Sequence, residues 1–126
     1  MKEEKIKEFV NANYKNGGFF VTLIHDEHLQ ENEVNKKTEE FIKKLSGICR
    51  NRKAKCSIVK WNENVRDKIH THMLISAGCK FKDIAESFVG RKSVAELLPA
   101  DEHDETVAWL VNQTQACRSS VDMLQI

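Results

Sequence analysis

At 126 residues, 40% of them hydrophobic, the chain is the size of one domain with apolar material for one core, read as a single unit over 1–126. One proline and five glycines exclude a fibrous or linker-type chain, and no apolar run approaches the roughly 18 residues of a membrane span. The net charge of +1 hides an asymmetry: nine Lys/Arg against Glu39 and Glu40 between Lys36 and Lys60, but only Arg118 against six acids from Ser93 to Ile126.

The opening MKEEKIKEFV is charged on both signs and lacks the apolar stretch of a secretory signal. Lys2 to Val10 fits a short charged helix, ended by the turn formers Asn11, Asn13, Asn16, Gly17 and Gly18. FFVTLI at 19–24 is apolar and β-branched, a strand. Val34, Thr38, Phe41, Leu45 and Ile48 recur at helical spacing and mark the inner stripe of a helix, with Gly47 weakening its last turn. The basic loop RNRKAK follows, then a strand CSIVKW at 56–61, a polar turn NENVRD and a third strand IHTHMLIS at 69–76. Lys82 to Val89 fits a short helix ended by Gly90, and Ser93 to Leu98 a fourth strand stopped by Pro99. The acidic run DEHDE opens a helix from about Glu102 to Cys117, where negative charge suits the N-terminal dipole. The tail to Ile126 carries no clear pattern.

The second and third strands are too close for a crossover helix, so they are expected to pair antiparallel. The expected class is α+β: an antiparallel sheet of about four to five strands with helices packed on it, in a ferredoxin-like or split β-α-β layout. Cys49, Cys56, Cys79 and Cys117 form no CxxC pair. With no secretory signal, reduced thiols in a cytoplasmic protein are the expectation.

The segment richest in chemistry is Ile69-His70-Thr71-His72-Met73. Strand side chains alternate, so His70 and His72 share one face, where two imidazoles on a rigid element can hold a divalent cation with a third ligand from elsewhere. Glu63, seven residues before His70, is the candidate oxygen ligand across the hairpin; His25 at the end of the first strand is an outside candidate. The bland alternative is two polar positions on a half-exposed face. Lys43, Lys44, Arg50, Arg52, Lys53 and Lys55 form the candidate phosphate-contacting patch, with a merely solvated helix face as its alternative.

This order of elements, with FVTLI near the start and His70-Thr71-His72-Met73-Leu74 on a later strand, resembles the rolling-circle replication initiators, the Rep proteins of the HUH endonuclease superfamily. The small Gram-positive plasmid initiators look closest, and the resemblance covers about residues 19–117. It implies an HUH endonuclease-like fold and single-stranded or hairpin DNA as partner. It also implies a divalent cation at His70, His72 and an acidic or histidine partner, for which Mn²⁺ or Mg²⁺ would suit a phosphate substrate, and nicking and rejoining by a tyrosine. The chain departs at that last point. Trp109 stands in AWLVNQTQA where the nucleophile is expected, and an indole cannot attack phosphorus. Tyr14 is the single tyrosine and so the remaining candidate nucleophile, with a loop aromatic on the sheet edge as its alternative. Two readings stay open: a metal-dependent nickase, or a nucleophile-less DNA-binding relative.

Overall fold

The apolar strand segments assemble into a five-stranded sheet in the order β4-β1-β3-β2-β5, every pairing antiparallel. The computed structural model describes residues 2–25, 28–76, 78, 91–98, 105, 108–113 and 121–126. Its elements are α1 (Lys2–Asn13), β1 (Gly18–Ile24), α2 (Glu31–Asn51), β2 (Ser57–Val65), β3 (Lys68–Ser76), β4 (Arg91–Leu98) and β5 (Asp122–Gln125). Residues 108–113 add a stretch of helix, part of the one expected over 102–117; the helix expected over 82–89 lies outside the described residues. No helix among the described residues is long and apolar enough to cross a membrane.

Both β1 and β2 pair with β3, from opposite sides. They therefore run parallel to each other with β3 inserted between them, and α2 is the crossover. This is the expected split β-α-β unit. The tail, unassigned in sequence, forms β5 on the outer side of β2. Cys56 and Ile126 extend that pairing by exchanging backbone hydrogen bonds of 3.2 and 2.9 Å.

Alternation along the strands sorts their side chains onto two covered faces. Val21, Leu23, Ile58, Met73 and Ile75 pack against Phe41, Leu45 and Cys49 of α2. Val59, Trp61 and Leu74 pack against Ile6, Val10 and Tyr14, at the level of α1, and against Leu110. α2 buries Val34, Thr38, Phe41, Leu45 and Cys49, one apolar stripe at spacings of three and four. Its start is fixed by the Gln30 backbone N–H donating to Glu33 Oε1 at 3.2 Å.

Several boundaries differ from expectation: α1 runs on through Asn11 to Asn13, residues expected to end it, β4 begins at Arg91 and not at Ser93, and in two further places pairing or packing outweighs local composition. α2 continues through Gly47 to Asn51, so Arg50 belongs to its last turn and not to a loop. A glycine inside a helix costs about 1 kcal/mol relative to alanine, and a Cβ at Gly47 would meet nothing within 4 Å. Likewise β2 runs to Val65 and absorbs Asn62, Glu63 and Asn64, because Trp61 to Val65 all find ladder partners in β3. The turn shrinks to Arg66 and Asp67, both at positive φ (50° and 66°), the primed geometry that a two-residue hairpin requires.

Neither residue of that turn is glycine, and a side chain in the left-handed region is strained. Asp67→Gly is therefore expected to stabilise the protein by about 1 kcal/mol. Urea unfolding checks this: the midpoint rises while the slope m is unchanged.

Candidate functional site

On β3, His70 and His72 lie on the α1 side of the sheet, as their spacing predicts, in step with the buried Leu74. The ladder then decides their neighbours. His72 is opposite Thr22 of β1 and Trp61 of β2, while His70 is opposite Ile24 and Glu63. Glu63 reaches diagonally across the ladder, so that its Oε1 lies 3.0 Å from His72 Nε2. Thr22 Oγ1 lies 3.0 Å from His72 Nδ1.

Both ring nitrogens of His72 are thus engaged, with its side chain only 12% exposed and that of Glu63 35% exposed. The hydroxyl of Thr22 suits either charge state. With a neutral ring, Nε2–H donates to Glu63 and Thr22 O–H donates to Nδ1. With an imidazolium, Nδ1–H donates to Thr22.

Glu63 and His72 also fit as metal ligands. Two donors bound side by side to a cation at ~2.1 Å stand about 3 Å apart, which is the spacing of this pair. His70 is close enough for its titration to respond to both. Even so, no three His, Cys, Asp or Glu side chains among the described residues are gathered tightly enough to hold a metal ion. The fold brings two of the three expected ligands together and leaves His70 one ladder position away, opposite Glu63.

A partly buried polar chain supports β3 from behind. Thr71, between the two histidines, points to the α2 side and donates to Asn62 Oδ1 at 2.9 Å. Asn62 Nδ2 donates in turn to Asn35 Oδ1 at 3.0 Å. The Thr38 hydroxyl lies 3.3 Å from Thr71 Oγ1. This chain ties the N-terminal half of α2 to the strand that carries the histidines.

Aromatic rings close the front. Phe20 stacks on the His72 ring at 5.5 Å and 16°, and Trp61 flanks it at 5.6 Å. Trp109 stands edge-on to Phe20 at 5.0 Å and to Trp61 at 6.1 Å. It is 37% exposed, the one large apolar side chain so exposed among the described residues. Trp109 therefore forms the rim of the site, while Leu110 beside it is buried. Phe20, Thr22 and Trp61 were not foreseen as site residues. Their signal is the strand register, since alternation places Phe20 and Thr22 together but not beside His72.

Two other groups of candidates lie elsewhere. Tyr14 is 2% exposed, and its hydroxyl faces the Leu74 carbonyl at 2.6 Å and the Ser57 carbonyl at 3.0 Å. Its ring lies over Gly18, where a Cβ would come within 3.1 Å of Tyr14 Cδ1. A phenol sealed among carbonyls is a clamp between α1 and the sheet, and is not presented to a substrate. Lys43, Lys44, Arg50, Arg52, Lys53 and Lys55 are all exposed, but they lie on the C-terminal half of α2 and its following loop. That region covers the opposite face of the sheet from the histidines, towards its other end. Sequence places the cations and the histidines in one chain; the fold does not place them in one cleft.

Burial is the main reason His25 titrates below the ordinary imidazole value of 6.5, followed by the charges of Lys37 and His70. His70 is lowered too, by burial first and then by His72, while Glu63 opposes the shift. A scan against models of known protein families, a search of curated proteins and a search of solved structures each find no match to this chain.

Two measurements test these assignments. Tyr14→Phe leaves two buried carbonyls without that hydroxyl and is expected to cost about 1–3 kcal/mol in unfolding free energy, read by urea titration. The second concerns pH. The folded values of His25 and His70 lie below the unfolded value, so the unfolded chain binds protons first and stability is fully retained only above 6.5. Stability is then lost as pH falls through the folded values. Melting temperature is expected to drop between about pH 7.5 and about pH 5.5, and His25→Gln to flatten that drop.

Proposed function

We propose that the chain is a Rep-like DNA-binding protein. It seats single-stranded or hairpin DNA against the histidine face without forming a covalent link to it. The observation that carries this reading is the Thr22–His72–Glu63 array on the central strand, rimmed by Trp109. It supports the resemblance in placing an acid beside the paired histidines on the inner strands of a split β-α-β sheet. When bound by His72 and Glu63, Mn²⁺ or Mg²⁺ would supply positive charge to phosphate oxygens. Thr22 holds the His72 ring from the Nδ1 side, and Glu63, when no cation lies between them, accepts from the ring proton on Nε2. Trp109 offers a half-exposed indole to an unpaired base, and base–aromatic stacking is worth ~1–3 kcal/mol.

The alternative is a nickase, favoured by the His72–Glu63 pair. What weighs against it is the nucleophile, since the only tyrosine in the chain is the buried Tyr14.

Labelled single-stranded and hairpin DNAs, incubated with the protein and Mn²⁺, separate the readings. Native gels are expected to show retarded DNA and denaturing gels neither cleavage nor adduct, while Trp109→Ala weakens binding by ~1–3 kcal/mol. An adduct that disappears in Tyr14→Phe would establish the nickase. Absence of binding to every DNA would overturn both.

A further inference from the structure

The two polar contacts of the His72 ring have a direction. Thr22 Oγ1 lies 3.0 Å from Nδ1, and Glu63 Oε1 lies 3.0 Å from Nε2. An ionised carboxylate only accepts, so the hydrogen of the neutral ring sits on Nε2 and the Nδ1 lone pair faces the Thr22 hydroxyl. Hydroxyl, imidazole and carboxylate therefore stand in series. That is the order in which a nucleophile, its general base and the group orienting the base are required.

The surroundings suit such a use. Thr22 is held on β1 with partners on both sides, His72 of β3 and Ser93 of β4, and a β-branched side chain has little rotamer freedom. Thr22 keeps 9% of its surface exposed and the His72 side chain 12%, so both stay in touch with solvent. Trp61, opposite His72 on β2 with its ring 5.6 Å away, has a buried indole N–H that meets no acceptor among the described residues. A buried donor without an acceptor is costly. This one is held in reserve for an oxygen that folding does not supply.

We propose that Thr22 is the nucleophile of an ester-hydrolysing site, with His72 as its general base and Glu63 as the residue that positions the base. The substrate class is an uncharged carboxylic ester with an apolar or aromatic arm. Phe20, Trp61 and, beside them, Trp109 supply apolar walls, while the Glu63 carboxylate disfavours an anion. Thr22 Oγ1 bonds to the carbonyl carbon as its hydrogen passes to Nδ1. The ester C–O bond then breaks, and the leaving alkoxide takes that hydrogen. Water cleaves the acyl-threonine in the same way: its hydrogen passes through Nδ1 to the Thr22 oxygen, and the acid is released. The inference is independent of the DNA reading. A cation on Nε2 would leave the ring proton on Nδ1, which then donates to Thr22 and cannot take its hydrogen.

An alkyl fluorophosphonate, added to the whole chain in EDTA, tests the nucleophile. Attack forms a Thr22 Oγ1–P bond and expels fluoride, while the hydroxyl hydrogen goes to His72. The intact mass is expected to rise by one phosphonyl group, and peptide mapping to place that group on Thr22. Thr22→Val keeps the shape of the side chain and is expected to abolish the adduct; Thr22→Ser is expected to retain it. His72→Gln is expected to slow labelling by ~10²-fold or more, the usual loss when a general base is removed. Glu63→Gln is expected to lower the maximal labelling rate about tenfold while the half-saturating probe concentration stays unchanged. Turnover of para-nitrophenyl butyrate is expected to follow the same order among the variants. The proposal is overturned by an unlabelled wild type, by an adduct that maps elsewhere or persists in Thr22→Val, or by an undiminished rate in His72→Gln. Labelling that requires Mn²⁺, or ester turnover that survives Thr22→Val, overturns it equally.

Discussion

The structure depends on the position of β3. It is the central strand of the five, paired along nearly its whole length on both sides, with β1 and with β2, and both of its faces are covered. A slip of one residue would exchange His70 and His72 with Thr71 and Met73. That exchange would bury imidazoles against α2 and break the Thr71–Asn62–Asn35 chain. Leaving those buried polar atoms unpaired costs more than the gain from forming such bonds, which is typically only about 1 kcal/mol each. The network on the α2 side therefore determines which side chains stand on the other side.

That constraint explains why the site is built from three strands and not from a loop. Thr22, His72 and Glu63 sit on β1, β3 and β2, and each is held at its place by ladder hydrogen bonds. The His72 ring is gripped at both nitrogens and stacked on Phe20. Its freedom to rotate is spent in folding, before any ligand arrives. His70 has Glu63 and Ile24 opposite it. The carboxylate, directed to His72, also acts on His70 by opposing its lowered titration.

Much of this was legible in the residues. Period-two and period-four patterns locate β1, β3, α1 and α2, and alternation alone puts both histidines on one face. Glu63 was reachable too, although for a different reason from the one that operates: it lies on β2 in register with β3, not in a turn. The second half of β2 was hidden because Asn62, Glu63 and Asn64 have poor strand propensity and become a strand only through pairing. β5 was hidden because four residues, DMLQ, show no period. Tyr14 looked like a loop aromatic, and only the sheet register reveals the two carbonyls that receive its hydroxyl. Thr22, Phe20 and Trp61 share the same difficulty. A strand's sequence tells which residues share a face, but not which residues of the neighbouring strand they meet.

The placement of the basic run is the sharpest instance. Its charge is plain in the sequence, yet nothing local says which face of the sheet α2 covers. The buried stripe Val34–Cys49 decides this by packing on Val21, Met73 and Ile75, which lie on the reverse of His72. The consequence is electrostatic. Lys43, Lys44 and Arg50 therefore stand on the opposite side of the sheet from Glu63 and His72. Charges on a solvated surface are screened over about 8–10 Å at physiological salt. The cations face solvent on one side of the sheet, and the His72–Glu63 pair stands on the other. A chain with a net charge of only +1 thereby keeps a strongly basic surface on one side of the sheet and a separate polar site on the other.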